Sequence, residues 1–374
     1  VSLPLMSLTE QDGINLQEDT NRKNNSNSDK SKYLRICTGD IAYNTMRMWQ
    51  GRCAYVNVEG IVSPAYTICK PDNEINGLFF YFYFKTSNLI KKFRANSQGL
   101  VNDTLSLKYD AFSRITILYP SKKEQQKIAD CLTSLDNLIT AETQKLDALK
   151  THKKGLMQKL FPAEGETVPK LRFPEFRDSG EWEEKSLNSI AKRRTERNNG
   201  NINRVLTNSA VNGVVDQRDY FEKDIANQNN LDNYYIVDLA DYVYNPRISV
   251  TAPVGPISKN KVGKGVMSPL YTVFRFDNNN NDFFDHYFKT TCWHKYLKEI
   301  SNTGARHDRM NISNNDFMNM PLMYPEEKEQ QKMADSLTSL DNLINAQSQK
   351  IETLKAHKKS LMQQLFPSVD KVDE

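Results

Sequence analysis

The stretch YPSKKEQQKIADCLTSLDNLITAETQKLDALKTHKKGLMQKLFP, Tyr119 to Pro162, occurs twice in the chain. It returns 205 residues later, at Tyr324 to Pro367, as YPEEKEQQKMADSLTSLDNLINAQSQKIETLKAHKKSLMQQLFP, with 31 of 44 positions identical. Each copy reads as one long helix. In the first, Ile128, Leu132, Leu135, Ile139, Leu146, Leu149, Leu156 and Leu160 follow the 4,3 spacing of a coiled-coil seam, interrupted by Glu142 and Lys153. In the second, Met333, Leu337, Leu340, Ile344, Ile351, Leu354, Leu361 and Leu365 repeat it, interrupted by Gln347 and Lys358. Pro120, Pro162, Pro325 and Pro367 sit outside the helix ends, where proline breaks no hydrogen-bond ladder. About 40 residues at 1.5 Å each make a rod roughly 60 Å long. A single seam would leave a strip of leucines in water, so each helix needs a partner, and the nearest candidate is the other copy. The polar positions repeat too: Glu124, Gln125, Gln126 and Lys127 return as Glu329, Gln330, Gln331 and Lys332. Core packing alone does not require that.

At 374 residues the chain is long enough for two or three domains with separate cores. It contains no run of 18 apolar residues and no basic leader ahead of a short apolar stretch, so neither a membrane span nor a signal peptide is expected. The five cysteines, Cys37, Cys53, Cys69, Cys131 and Cys292, are scattered and never form a CxxC pair. They fit reduced thiols in a cytoplasm and give no support to a zinc site. A net charge of +4 from 50 basic and 46 acidic side chains is too balanced to identify a polyanionic partner. Local patches must carry that argument.

Before the first rod, a strand and polar loop are expected over Leu5 to Gln17, then an exposed loop over residues 18 to 32. Strand-like runs follow at Tyr33 to Cys37, Asp40 to Tyr43, Cys53 to Val58 and Ala65 to Cys69. A single aromatic-rich helix is expected from Gly77 to Ala95, with Phe80, Tyr83, Phe84 and Ile90 on its apolar face, and a closing strand from Ile115 to Leu118. After Pro162 the plan restarts. Asp40-Ile41-Ala42-Tyr43-Asn44 is echoed by Asp241-Tyr242-Val243-Tyr244-Asn245, Gly60 to Thr67 by Gly265 to Thr272, and Tyr83-Phe84-Lys85-Thr86 by Tyr287-Phe288-Lys289-Thr290. Gly99 falls in register with Gly304. Between these islands the two globules differ almost completely, as one scaffold carrying two working surfaces would. Val168 to Arg204 has no counterpart before Val1. With the absence of an initiator methionine, this gives the expectation of a chain lacking its natural start.

No catalytic constellation emerges. GxGxxG and GxxxxGK[ST] loops are absent. Asn245-Pro246-Arg247-Ile248 is similar to the NPPY-type loop of adenine methyltransferases but lacks its second proline and its aromatic; a turn after a strand is the plainer reading. His152, His286, His294, His307 and His357 show no metal spacing, and His152 and His357 are equivalent positions on the two rods. Ser63 and Ser268 lie in SPxY rather than in a nucleophile elbow. Binding is therefore the expected task. In the second globule, Ser301 to Asn311 is a glycine loop with Thr303, Gly304, Arg306, His307, Arg309 and Asn311, the residue types that read guanine and adenine edges and hold phosphates. The equivalent loop of the first globule offers Gln98, Gly99 and Asn102 but no arginine, so the two should read different things. Arg47, Trp49 and Arg52 after Asn44, and Lys259, Lys261 and Lys264 in a hairpin-like stretch, are further candidates, although hairpin lysines more commonly form a solvated face.

The order globule, rod, globule, rod, with KEQQKIADCLTSLDNLI and KEQQKMADSLTSLDNLI opening the rods and LRFPEF plus GEWEEK opening the second globule, resembles the specificity subunit of type I restriction-modification systems. The resemblance implies two α/β (α+β) target-recognition domains in tandem, residues 1–118 and 164–323, alternating with spacer helices, residues 119–163 and 324–374. The spacers should form an antiparallel coiled coil with a pseudo-two-fold internal repeat and set the globules at opposite ends. It also implies a chain that is not itself an enzyme. Expected partners are double-stranded DNA, two modification subunits that methylate adenine from S-adenosylmethionine, and restriction subunits that use ATP and Mg. The target would be split and asymmetric, with a gap set by the rods. Two other readings follow from the sequence: the specificity half of a fused restriction-methylation enzyme, and a structural coiled-coil scaffold.

Overall fold

The computed structural model describes residues 3–9, 13–20, 29–101, 104–220, 231–278, 282–301 and 308–366. The chain divides into two compact units, Val1–Lys145 with Gln347–Glu374, and Leu146–Ala346. Both expected helices form, Lys122–Leu160 and Glu327–Leu365, at 39 residues each. The unit boundaries cut through them, so each unit contains part of both.

Within each unit the two helices pair antiparallel. In the first, Lys358 binds Asp136, and Gln347 Nε2 donates to the Glu142 carboxylate at 2.6 Å and to its carbonyl at 2.9 Å. Lys350 reaches the same carboxylate. In the second, Lys153 binds Asp341, the repeat-equivalent of the Lys358–Asp136 pair. As residue numbers rise along one helix they fall along its partner. All the seam residues expected from the spacing are buried or half-buried. The polar interruptions are the paired positions: Glu142 meets Gln347, and each lysine meets an aspartate. A polar pair inside an apolar seam fixes register and orientation, because any slip leaves it unsatisfied.

The repeated EQQK segment has a structural cause. Gln125 is fully buried, its Nε2 donating to the carbonyls of Pro120 at 2.9 Å and Glu74 at 3.3 Å while its Oε1 accepts from the Asn76 amide at 2.9 Å. Gln330 repeats the bond to Pro325 at 2.9 Å. Each glutamine ties its helix start to the chain that delivers it. Glu329 is buried as well, and Arg172 grips it with two bonds, at 2.8 and 2.6 Å. Arg172 also donates to the carbonyls of Ser179 at 2.7 Å and Gly180 at 2.9 Å. The LRFPEF and GEWEEK segments are thereby fastened to the second long helix, and Trp182 packs edge-on against Phe161 and Phe283.

In the first unit the strands Cys53–Tyr55, Ile41–Asn44 and Tyr66–Cys69 form an antiparallel sheet in that order, and Leu34–Ile36 pairs with Gly60–Val62. Leu5 to Gln17 holds two strands, Met6–Thr9 and Gly13–Leu16, rather than a strand and a loop. The aromatic helix is also two elements, Gly77–Phe84 and Ser87–Ala95. Thr86 between them is extended, at φ −74° and ψ 146°, and its hydroxyl donates to the Tyr83 carbonyl at 2.8 Å, closing the first helix. Phe366, directly after the second long helix, packs on Phe79 and Tyr83, at 5.1 and 4.9 Å between ring centroids. The expected strand at Ile115 to Leu118 is not formed. A strand needs a neighbour: the equivalent Pro321–Tyr324 pairs with Glu183–Ser186, whereas no described residue of the first unit pairs with 115–118.

The second unit centres on a four-stranded antiparallel sheet in the order Ile257–Lys259, Tyr242–Tyr244, Thr272–Phe276, Ala191–Arg193. Its core stacks Tyr242 on Phe274 and Tyr244 on Phe317. The sequence echoes are local hydrogen-bond devices used twice. Asp40 accepts from the Cys37 amide and Asp241 from the Asp238 amide, each at 2.8 Å. Ser63 and Ser268 hydroxyls accept from the amides of Ala65 and Leu270. The five cysteines are free, no described helix is long and apolar enough to cross a membrane, and no metal-binding cluster occurs among the described residues.

Candidate nucleic-acid interface

In the second unit the chain leaves the central strand at Tyr244 and turns at Asn245. The Asn245 side chain donates to the Asn208 carbonyl at 2.9 Å and accepts from the Arg247 amide at 3.0 Å. Residues 246–248 then run antiparallel to 308–310, with the Ile248 amide bonded to Asp308 O at 3.1 Å and the Met310 amide to Pro246 O at 2.8 Å. Arg247 and Arg309 stand opposite each other on this two-stranded loop. Arg309 pairs with Asp308 at 3.2 Å. Its hydrogen bond, and secondarily the charges of Arg309 and Arg247, lower the pKa of the Asp308 carboxyl. Arg247 is exposed, and its guanidinium makes no hydrogen bond or ion pair among the described residues. Asn311 is exposed beside them. Thr303, Gly304, Arg306 and His307 lie outside the described residues.

The first unit builds the same frame with other side chains. Asn44 accepts from the Met46 amide at 3.0 Å, and the Leu107 amide bonds Thr45 O at 2.8 Å, joining the loop after the strand to the loop after the helix. Gln98 and Ser106 exchange backbone bonds at 3.0 and 2.8 Å. Gln98 and Gly99 are exposed, and a Cβ at Gly99 would come within 2.6 Å of the Thr104 carbonyl oxygen. Arg47 and Arg52 are half-buried. Trp49 is more a structural residue than an outstretched one. Its indole donates to Met46 O at 3.1 Å, and the Arg94 guanidinium lies 5.5 Å from its ring centroid. Asn102 lies outside the described residues.

Residues 9–151 and 179–356 match the type I restriction modification DNA specificity domain. The chain belongs to that family. The MjaVIII type I restriction enzyme specificity subunit of Methanocaldococcus jannaschii is 24% identical over 361 residues, which cover 90% of this chain and 82% of that protein. The S subunit of the type I restriction-modification system from M. genitalium superposes with a TM-score of 0.51 at 14% identity, covering 88% of this chain and 83% of that one. A chain from a structure of complex assembly and conformational transition in the type I R-M system gives 0.53 at 13% identity, covering 90% and 84%.

For this specificity protein the task is recognition of DNA sequence, and the arginine and lysine candidates divide accordingly. Lys259 and Lys261 bind Asp282 at 2.8 and 3.0 Å, and Lys261 and Lys289 bind Asp285 at 2.9 and 3.1 Å. Burial would raise the Asp285 carboxyl, but Lys289 and Lys261 overcome it and hold it at about 2. The charge of Lys259 and Lys261 is thus already engaged by aspartates 21 to 24 residues away in sequence. Arg247 is the opposite case: among the described residues its guanidinium has no hydrogen-bond or ion-pair partner, and only its charge acts on Asp308. Asn245 to Ile248 does begin with the turn expected there, and that turn leaves Arg247 exposed. The sequence signal was the register that aligns it with the stretch from Asn44 to Arg47. An Arg247→Ala variant is expected to relax one base position of the target at a cost of about 1–3 kcal/mol, as loss of a base contact does. Binding measured against all single-base variants of the target would check this, and a uniform loss across sequences would assign Arg247 to phosphate instead.

Proposed function

We propose that each unit reads one half of a split, asymmetric DNA target and that the chain performs no chemistry itself. It directs two modification subunits, which carry S-adenosylmethionine and methylate adenine at N6, and restriction subunits, which use ATP and Mg, all in the cytoplasm. What supports this reading is one scaffold used twice under two different surfaces. Asn44 and Asn245 make the same turn, yet the joined loops present Gln98 and Gly99 in one unit and Arg247, Arg309 and Asn311 in the other. Identical frames with different side chains are what two unlike half-sites require.

The experiment is a genome-wide map of N6-methyladenine in a methylation-free host expressing this protein with its cognate modification subunit, against the same host without this chain. A split motif with a fixed gap, present only with the chain, is the expected result. Active modification subunits that yield no such motif, or yield it without the chain, would overturn the reading in favour of a scaffold.

A further inference from the structure

Val250 stands in the loop that carries Arg247, and its side chain is fully exposed, at 102% of reference. Neither packing nor turn chemistry accounts for it. Turn tips favour Gly, Asn, Asp and Ser, whose local hydrogen bonds or backbone freedom suit the bend, and a β-branched aliphatic residue contributes neither. The turn beneath it is firmly built. Ser249 and Ala252 exchange backbone bonds at 3.0 and 3.2 Å, the Ser249 hydroxyl accepts from the Ala252 amide at 3.1 Å, and it lies 3.2 Å from the Thr251 hydroxyl. Ala252 and Val254 are buried. The loop returns through Gly255, at φ +82°, where a Cβ would lie 2.0 Å from the Asn245 carbonyl oxygen. Only glycine allows that approach, and it clamps both ends of the loop together. An apolar side chain is thus held out in water on a preorganised support, three residues from an exposed arginine that has no ion-pair partner among the described residues.

We infer that Val250 is a specificity-determining residue of the second unit, which contacts the C5-methyl group of a thymine in the major groove beside the base read by Arg247. This rests on the DNA-reading proposal above. The thymine methyl is the one apolar feature of the major-groove edge, and aliphatic side chains are its complement. The first unit has a parallel feature: Leu100, also fully exposed, follows directly on Gln98 and Gly99.

The test uses the chain assembled with its modification subunits and duplexes carrying the mapped motif. Each thymine of the half-site that Arg247→Ala relaxes is replaced singly by deoxyuridine, which removes only the methyl group. One replacement is expected to weaken binding of the parent complex about 3- to 5-fold, the worth of one buried methyl. A Val250→Ala complex should bind the thymine and deoxyuridine duplexes alike. A half-site without a T·A pair, parent binding indifferent to every replacement, or undiminished discrimination by Val250→Ala would each overturn the inference. A side chain wedged between base steps would give the second of these results. Absence of any motif would instead sink the recognition proposal itself.

Discussion

In urea unfolding followed by tryptophan fluorescence, an Arg172→Met variant is expected to lose about 3–5 kcal/mol of stability in the second unit, the cost of leaving one member of a buried ion pair uncompensated. The side chains of Arg172 and Glu329 are 6% and 1% exposed, and the guanidinium makes four hydrogen bonds, two of them to Glu329. The Glu329 bonds raise the arginine pKa against the opposing effect of burial. The informative comparison is the double variant Arg172→Met, Glu329→Leu. It removes both charges together and should recover most of the loss, because a buried pair replaced by apolar side chains is often neutral in stability. A single variant that unfolds like the parent would show that the pair holds nothing together. A double variant as unstable as the single one would assign the loss to the carbonyls of Ser179 and Gly180 instead.

That pair also marks how far the sequence could be read. The rods were legible because periodicity is a direct record of a buried stripe, and the need to cover two equal stripes made the other copy the expected partner; its antiparallel direction came only from the family resemblance. Identity at Gln125 and Gln330 was visible as something packing did not require, but its cause was not. The partners are backbone carbonyls at Pro120 and Pro325, and carbonyls leave no trace in residue types. Glu329 and Arg172 are 157 residues apart, beyond the reach of any local pattern. The break at Thr86 was hidden because both flanking segments are apolar and helix-forming, so composition alone favours continuity. At the candidate interface, charge density did not show which cations have acidic partners. Lys259 and Lys261 look like a free basic hairpin until the fold returns Asp282 and Asp285 to them, whereas Arg247 looks like part of a turn until the fold leaves it exposed with no hydrogen-bond or ion-pair partner among the described residues. Placement of positive charge was legible; its neutralisation was not.

The second large effect concerns the gap between half-sites. Insert one heptad after Lys145 and a second after Ala346, where the two compact units meet in sequence. The pairs Glu142–Gln347 and Asp136–Lys358 then stay within the first unit, and Lys153–Asp341 stays within the second. Each unit keeps its own register, and only the helical connection between the units grows. Seven residues add about 10 Å of helix and leave the seam on nearly the same face, within roughly 20°. On DNA, 10 Å is about three base pairs at 3.4 Å each. Methylation mapping of the double insertion is therefore expected to return both half-sites unchanged, with a gap lengthened by about three base pairs, or no methylation if the assembled subunits cannot follow the change. An insertion in one helix alone should be worse than the pair, since it displaces the Glu142–Gln347 layer and exposes leucines along the seam. If the double insertion methylates the original motif with its original gap, the helices do not measure DNA, and spacing must then be set by the partner subunits.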